Sequence, residues 1–189
     1  LNELQILKKR YPESIELTDK ENTGHGPTIL KSYIESLDAD WIFQVDSDNE
    51  IKANNFSKFW DAKDEHDLII GKRTNREAPL FRRFMTYISY LVVRFFYGKG
   101  VKDVNCPYRL MRTFSFEKVF LSIPKDTFAP NIIVSGMAVK KKLKIKPLDI
   151  QFETRTSGES SLSSNITKLL KISVNSFLEI IQYATKSKL

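Results

Sequence analysis

Apolar positions along this chain follow two periods. In "DWIFQVD" and "DLIIGKR" they form short runs that end in charge, the pattern of strands buried inside a sheet. "SIELTD" and "IKPLDIQFETR" alternate and also read as strands. Between them the spacing lengthens to three and four. It predicts helices over residues 2–11, 27–37, 53–62, 80–97, 114–121 and 131–142, with Pro27 in a first turn and Gly98-Lys99-Gly100 at an end. Near the C-terminus, Ile166, Leu169, Leu170, Val174, Phe177, Leu178 and Ile181 mark one face of an amphipathic helix within 163–189. Strand and helix in alternation predict an α/β sandwich on a largely parallel sheet.

The most apolar stretch, residues 84–98, is interrupted by Arg94 and is shorter than the roughly 20 residues needed to cross a bilayer. A chain of 189 residues fits a single domain, 1–189, and 41% hydrophobic content is enough for a core and excludes a disordered composition. The single cysteine, Cys106, rules out an intrachain disulfide. A formal net charge of +7 changes the picture only by favouring phosphate-bearing partners.

The chemistry gathers at one strand end. Trp41 to Val45 run straight into Asp46, Ser47, Asp48, Asn49 and Glu50, with no lysine or arginine beside them in sequence. Ligands of open α/β sheets bind beyond the carboxyl ends of strands. Two carboxylates one residue apart there can share a Mg²⁺ or Mn²⁺ ion, particularly one that also takes phosphate oxygens. Arg73 ends "IIGKR" on the same side and suits bidentate phosphate contact. His25, in the turn Gly24-His25-Gly26-Pro27, reads more readily as a residue that holds that turn.

In order and spacing, "NTGHGPTILKSY", "DSD", "GKRTNREAPLFRRFMT", "DVNCPYRLMR", "FAPNIIVSGMA" and "RTSGESS" resemble family 2 glycosyltransferases of the GT-A fold, in the dolichol- and undecaprenyl-phosphate sugar transferase branch. The resemblance implies a three-layer sandwich with a mostly parallel sheet. It implies Asp46, Asp48 and Glu50 as ligands of Mg²⁺ or Mn²⁺ and Asp48, Arg73 and Arg155 as catalytic residues. Donor and acceptor contacts fall to Arg73, Arg82, Arg83, Asp103, Arg109, Asn131, Arg155 and Gly158. Arg155 and Gly158 would belong to a loop closing over the donor, and Arg109 would either border the acceptor or pair with Asp103.

The expected reaction is metal-dependent, inverting, non-processive transfer from a GDP- or UDP-sugar to polyprenyl phosphate or a cell-surface glycan precursor. The processive members' Gln-x-x-Arg-Trp block is absent. Asn131 stands where many relatives carry an acid, which suits an acceptor that is already anionic; Ser161 stands where lipid-phosphate transferases carry lysine, which does not. The alternatives are a sugar nucleotidyltransferase and an inactive sugar-nucleotide-binding module. The resemblance also implies peripheral contact with the cytoplasmic face of a membrane, no nucleic acid partner, and compatibility with a homodimer. In that family two strands precede the helix that begins this chain, so an additional N-terminal segment of roughly 50 residues is expected.

Overall fold

The computed structural model describes residues 2–18, 21–74, 80–151 and 166–186, excepting the side chains of residues 2, 80–82 and 166–173. Four strands form one sheet: β1 (Trp41–Gln44), β2 (Leu68–Thr74), β3 (Arg109–Arg112) and β4 (Ile145–Gln151), in the order β1-β3-β2-β4. β2 and β4 are parallel, and β3 runs antiparallel to both β1 and β2. Three strands therefore share a direction and β3 opposes them. The helices are α1 (Asn2–Arg10), α2 (His25–Glu35), α3 (Phe56–Asp61), α4 (Leu80–Phe96), α5 (Thr113–Ser122), α6 (Pro130–Lys140) and α7 (Ile166–Lys186).

The layers follow from strand alternation. On β1, Phe43 packs edge-on against Phe56 of α3 and against Tyr108. Its neighbour Gln44 points to the other face and bonds Tyr33 of α2. Helices thus cover both faces. Leu68 to Gly71 on β2 are all buried, as a strand covered on two sides requires. α6 is apolar nearly all round and buried from Pro130 to Ala138, with α2, α4, α5 and α7 packed about it. No helix among the described residues is long and apolar enough to cross a membrane.

Two expectations are corrected. Ile15–Thr18, within "SIELTD", form no strand. Alternation alone does not supply a ladder, and the Ile15 N–H instead donates to Tyr11 O at 3.0 Å in the turn after α1. The strand that the sequence pattern did not reveal is β3, four residues with arginine at each end. The other predicted elements form within a few residues of the expected bounds, except that 152–155 of the last strand lie outside the described residues.

Candidate active site

β1 and β2 end, and β3 begins, at the same edge of the sheet. Past β1 the chain makes a tight loop. Asp48 Oδ1 accepts from the Glu50 N–H at 3.2 Å, and Asn49 takes a left-handed backbone conformation, φ 59°. Asparagine tolerates that region better than most side chains, so "DSDNE" can fold back on itself. Asp46, Asp48 and Glu50 then line a cavity of about 110 Å³, opposite Arg73, with His25, Asn105 and Asn131 completing its polar wall. A larger groove of about 500 Å³ opens from the same residues along β1 and α2, sharing His25, Asp46 and Asp48.

Electrostatics single out Asp46. Burial raises its carboxyl above the usual carboxylate range; His25 opposes that, the Asp48 charge adds to it, and Arg109 and Arg73 oppose it again. A carboxylate held this way gains from a cation at its open side. Arg73 is fixed from behind. Its Nε and one Nη donate to Asp103 Oδ2 and Oδ1, each at 2.7 Å, in a pair whose side chains are 9% and 12% exposed. The Arg73 N–H adds a third bond to Asp103 at 3.3 Å.

Arg109 occupies a different place from the one expected of a ligand-binding residue. It is fully buried, and its guanidinium donates to the carbonyls of Cys106, Val104 and Asn131 and to Ser135 Oγ. Opposite Gln44 and Ile70 in the sheet register, it ties the 104–106 loop to α6 beneath the cavity. Asp103 pairs with Arg73 and not with Arg109. Asn131 is held by both neighbours: its side chain meets the Tyr33 hydroxyl at 2.8 Å and its carbonyl accepts from Arg109.

His25 lines both cavities as well as forming its turn. It begins α2, and Gly24 before it has φ 103°. A Cβ at Gly26 would lie 2.4 Å from the carbonyl oxygens of Thr127 and Phe128, so only glycine lets this turn seat there. That 127–128 segment is itself held by Glu179 of α7, which accepts from Thr127 Oγ1 and the Phe128 N–H, both at 2.9 Å. Three elements thus set His25 against Asp46. Asn105 and Pro107 also line the cavity without having been singled out, although they lie in the same "DVNCPYRLMR" block.

Arg83 is exposed on α4 and lines neither cavity; the Arg82 side chain, and Arg155, Gly158 and Ser161, lie outside the described residues. Among the described residues no three side chains of His, Cys, Asp or Glu converge as a ready-made metal cluster. On their own, Asp46 and Asp48 offer carboxylate oxygens of the kind a hard cation takes, and such an ion would have to draw its remaining oxygens from a ligand and water.

No family profile matches the chain. Two curated proteins do. It is 28% identical over 137 residues to polyprenol monophosphomannose synthase of Mycolicibacterium smegmatis, covering 68% of this chain and 52% of that protein. It is 23% identical over 164 residues to undecaprenyl-phosphate 4-deoxy-4-formamido-L-arabinose transferase of Photorhabdus laumondii, covering 85% of this chain and 49% of that one. The chain spans about half the length of these relatives. Among solved structures it superposes on glucosyl-3-phosphoglycerate synthase of Mycobacterium tuberculosis, in complex with phosphoglyceric acid, with a TM-score of 0.56 at 10% identity, over 96% of this chain and 60% of that one. The fold is that of the GT-A glycosyltransferases, and in sequence the chain is similar to a polyprenol monophosphomannose synthase and to an undecaprenyl-phosphate sugar transferase.

Proposed function

We propose that this site transfers one sugar per encounter, with inversion, from a nucleotide-sugar to a polyprenyl phosphate, with Mg²⁺ or Mn²⁺ bound. The observation that carries the reading is that Asp46, Asp48 and Glu50 line one small cavity with Arg73 at the sheet's edge. Asp46 and Asp48 would hold the ion, with Glu50 beside them. An ion held by them would supply positive charge to neutralise the donor diphosphate as the sugar leaves.

The protein groups supply the rest. Asp103 fixes the Arg73 guanidinium before substrate arrives, so little reorganisation is left for the reacting complex. Arg73 then orients the phosphates and stabilises the leaving diphosphate. The acceptor phosphate attacks the anomeric carbon from the face opposite the diphosphate. It is anionic already and needs no base to remove a proton. The neutral Asn131 amide on the cavity wall is compatible with that acceptor, whereas a carboxylate there would repel it. The names of both curated relatives support a lipid-phosphate acceptor or product. Work on such an acceptor places the protein peripherally at the cytoplasmic face of a membrane.

The test is a panel of nucleotide-sugars with and without Mn²⁺, offered polyprenyl phosphate or the corresponding polyprenol. Mn²⁺-dependent transfer to the phosphate alone is expected. Release of pyrophosphate from a nucleoside triphosphate would instead indicate a nucleotidyltransferase, and binding without turnover an inactive module.

A further inference from the structure

Tyr33, on α2, sets its hydroxyl between two amides, Gln44 of β1 and Asn131 of α6. Burial raises that hydroxyl above its ordinary value, so it keeps its one proton. One proton serves one acceptor. Asn131 Oδ1 lies 2.8 Å away, and Gln44 Oε1 faces the same hydroxyl. Gln44 Nε2, meanwhile, is buried without a partner among the described residues. In folded chains an orphaned buried N–H is rarer than an orphaned C=O.

The two ends of an amide have nearly the same shape, so a half turn of Gln44 displaces nothing. It puts Nε2 on the Tyr33 oxygen, which accepts, and the Tyr33 proton goes to Asn131 Oδ1. Turning Asn131 instead would leave Gln44 Nε2 stranded and would set Oδ1 among the carboxylates of Asp46, Asp48 and Glu50. The Asn131 backbone carbonyl is already fixed by Arg109 Nη1 at 3.0 Å and Ser135 Oγ at 2.9 Å. Tyr33 settles which end of the side-chain amide faces out. No described residue bonds Asn131 Nδ2, and that atom is not among the enclosed polar atoms. It opens on the cavity of about 110 Å³ that Asn131 lines with Arg73.

We propose that Tyr33 is a positioning residue that holds the Asn131 amide with its N–H groups toward the cavity, so that Asn131 donates a hydrogen bond to the acceptor's phosphate and the site selects a phosphate over an alcohol. This rests on the lipid-phosphate reading of the site and gives that reading a residue that discriminates. An amide N–H strengthens its bond when the oxygen it meets is charged. It cannot take a proton, so an alcohol gains no base from Asn131. The choice is made on the far side of Asn131 from the ligand, where α2, β1 and α6 meet at one hydroxyl.

Calorimetry with geranyl phosphate and with geraniol, in the presence of Mn²⁺, tests this without turnover. The parent should bind the phosphate and not the alcohol. Asn131→Leu, similar in volume but without an N–H, should weaken geranyl phosphate about tenfold or more, as loss of a hydrogen bond to a charged group does. Tyr33→Phe keeps the ring on Phe120, 4.7 Å between centroids, and frees the amide; it should weaken the phosphate about threefold. Affinity for UDP or GDP with Mn²⁺ should change in neither variant, which separates a lost contact from a lost fold. Failure of the parent to bind geranyl phosphate, or equal binding by the parent and either variant, overturns the proposal. So does a loss confined to the nucleoside diphosphate, which would assign the N–H to the donor. A parent that binds geranyl phosphate and discriminates as expected, yet transfers no sugar, upholds this role of Tyr33 and overturns the transferase reading.

Discussion

Arg73 and Asp103 meet end-on, two N–H donors to two carboxylate oxygens at 2.7 Å each, with little of either side chain reaching solvent. Of the two, Arg73 lines the cavity and Asp103 stands behind it. Replacing Asp103 by alanine should leave a mostly buried guanidinium without its counter-charge and cost about 3 kcal/mol in urea unfolding. Asp103→Asn keeps the shape and should cost less, yet lose about tenfold or more in kcat because Arg73 is no longer held. Equal kcat for Asp103→Asn and the parent would show that Arg73 needs no such hold.

Asp48→Ala should reduce Mn²⁺-dependent donor affinity by upwards of about tenfold while leaving the fold intact, as calorimetry and circular dichroism can establish. Asp46→Asn should do the same and also change stability. Burial raises the Asp46 carboxyl, so the folded chain keeps that proton to higher pH than the unfolded chain does. Stability from this group is present below the unfolded value and is lost as pH rises through the folded one. Without metal, Asp46→Asn should therefore melt above the parent at neutral pH and converge with it in acid. Added Mn²⁺ should stabilise the parent alone. A metal-free variant that melts below the parent at neutral pH would show that burial does not govern this carboxyl.

Gly26→Ala puts a methyl group 2.4 Å from two backbone carbonyl oxygens, which cannot move aside as a flexible side chain can. The start of α2 must shift, and His25 with it. We expect a loss of about 1–3 kcal/mol together with weaker donor binding. Glu179→Gln, which loosens the other side of the same contact through Thr127 and Phe128, should show the same pair of effects more mildly.

Cys106 is fully buried, and burial pushes its thiol up to about 11. The unfolded chain loses this proton near pH 9 while the folded chain keeps it. Its contribution to stability is thus present below about pH 9 and falls away between there and about 11. A thiol reagent at pH 8 should leave the native protein unlabelled and react only at the rate of unfolding. Fast labelling of folded protein would show that the core around Cys106 opens without global unfolding.

The acids of "DSDNE" and the arginine of "IIGKR" were legible because a buried strand that runs into charge sets that charge at the sheet's edge, where ligands bind. β3 was not, because arginines at both ends of four residues look like surface, and nothing in the spacing says that Arg109 would be wholly enclosed by carbonyls. The pairing of Asp103 with Arg73 joins residues 30 apart with the whole of α4 between them, which no local pattern encodes. His25 read as turn geometry, which it is. Its place beside Asp46 depends on Gly26 seating against a loop some 100 residues further on. The "SIELTD" strand failed for the opposite reason: its alternation is genuine, but a strand is a property of pairs.

Arg109 binds the 104–106 loop and the first turn of α6 through the same planar group, while its backbone sits in the sheet. Those parts are coupled as one piece: none can tilt without breaking bonds to a buried charge. Whatever swing or closure turnover demands must be borne by segments that this guanidinium does not touch, around a floor that stays still.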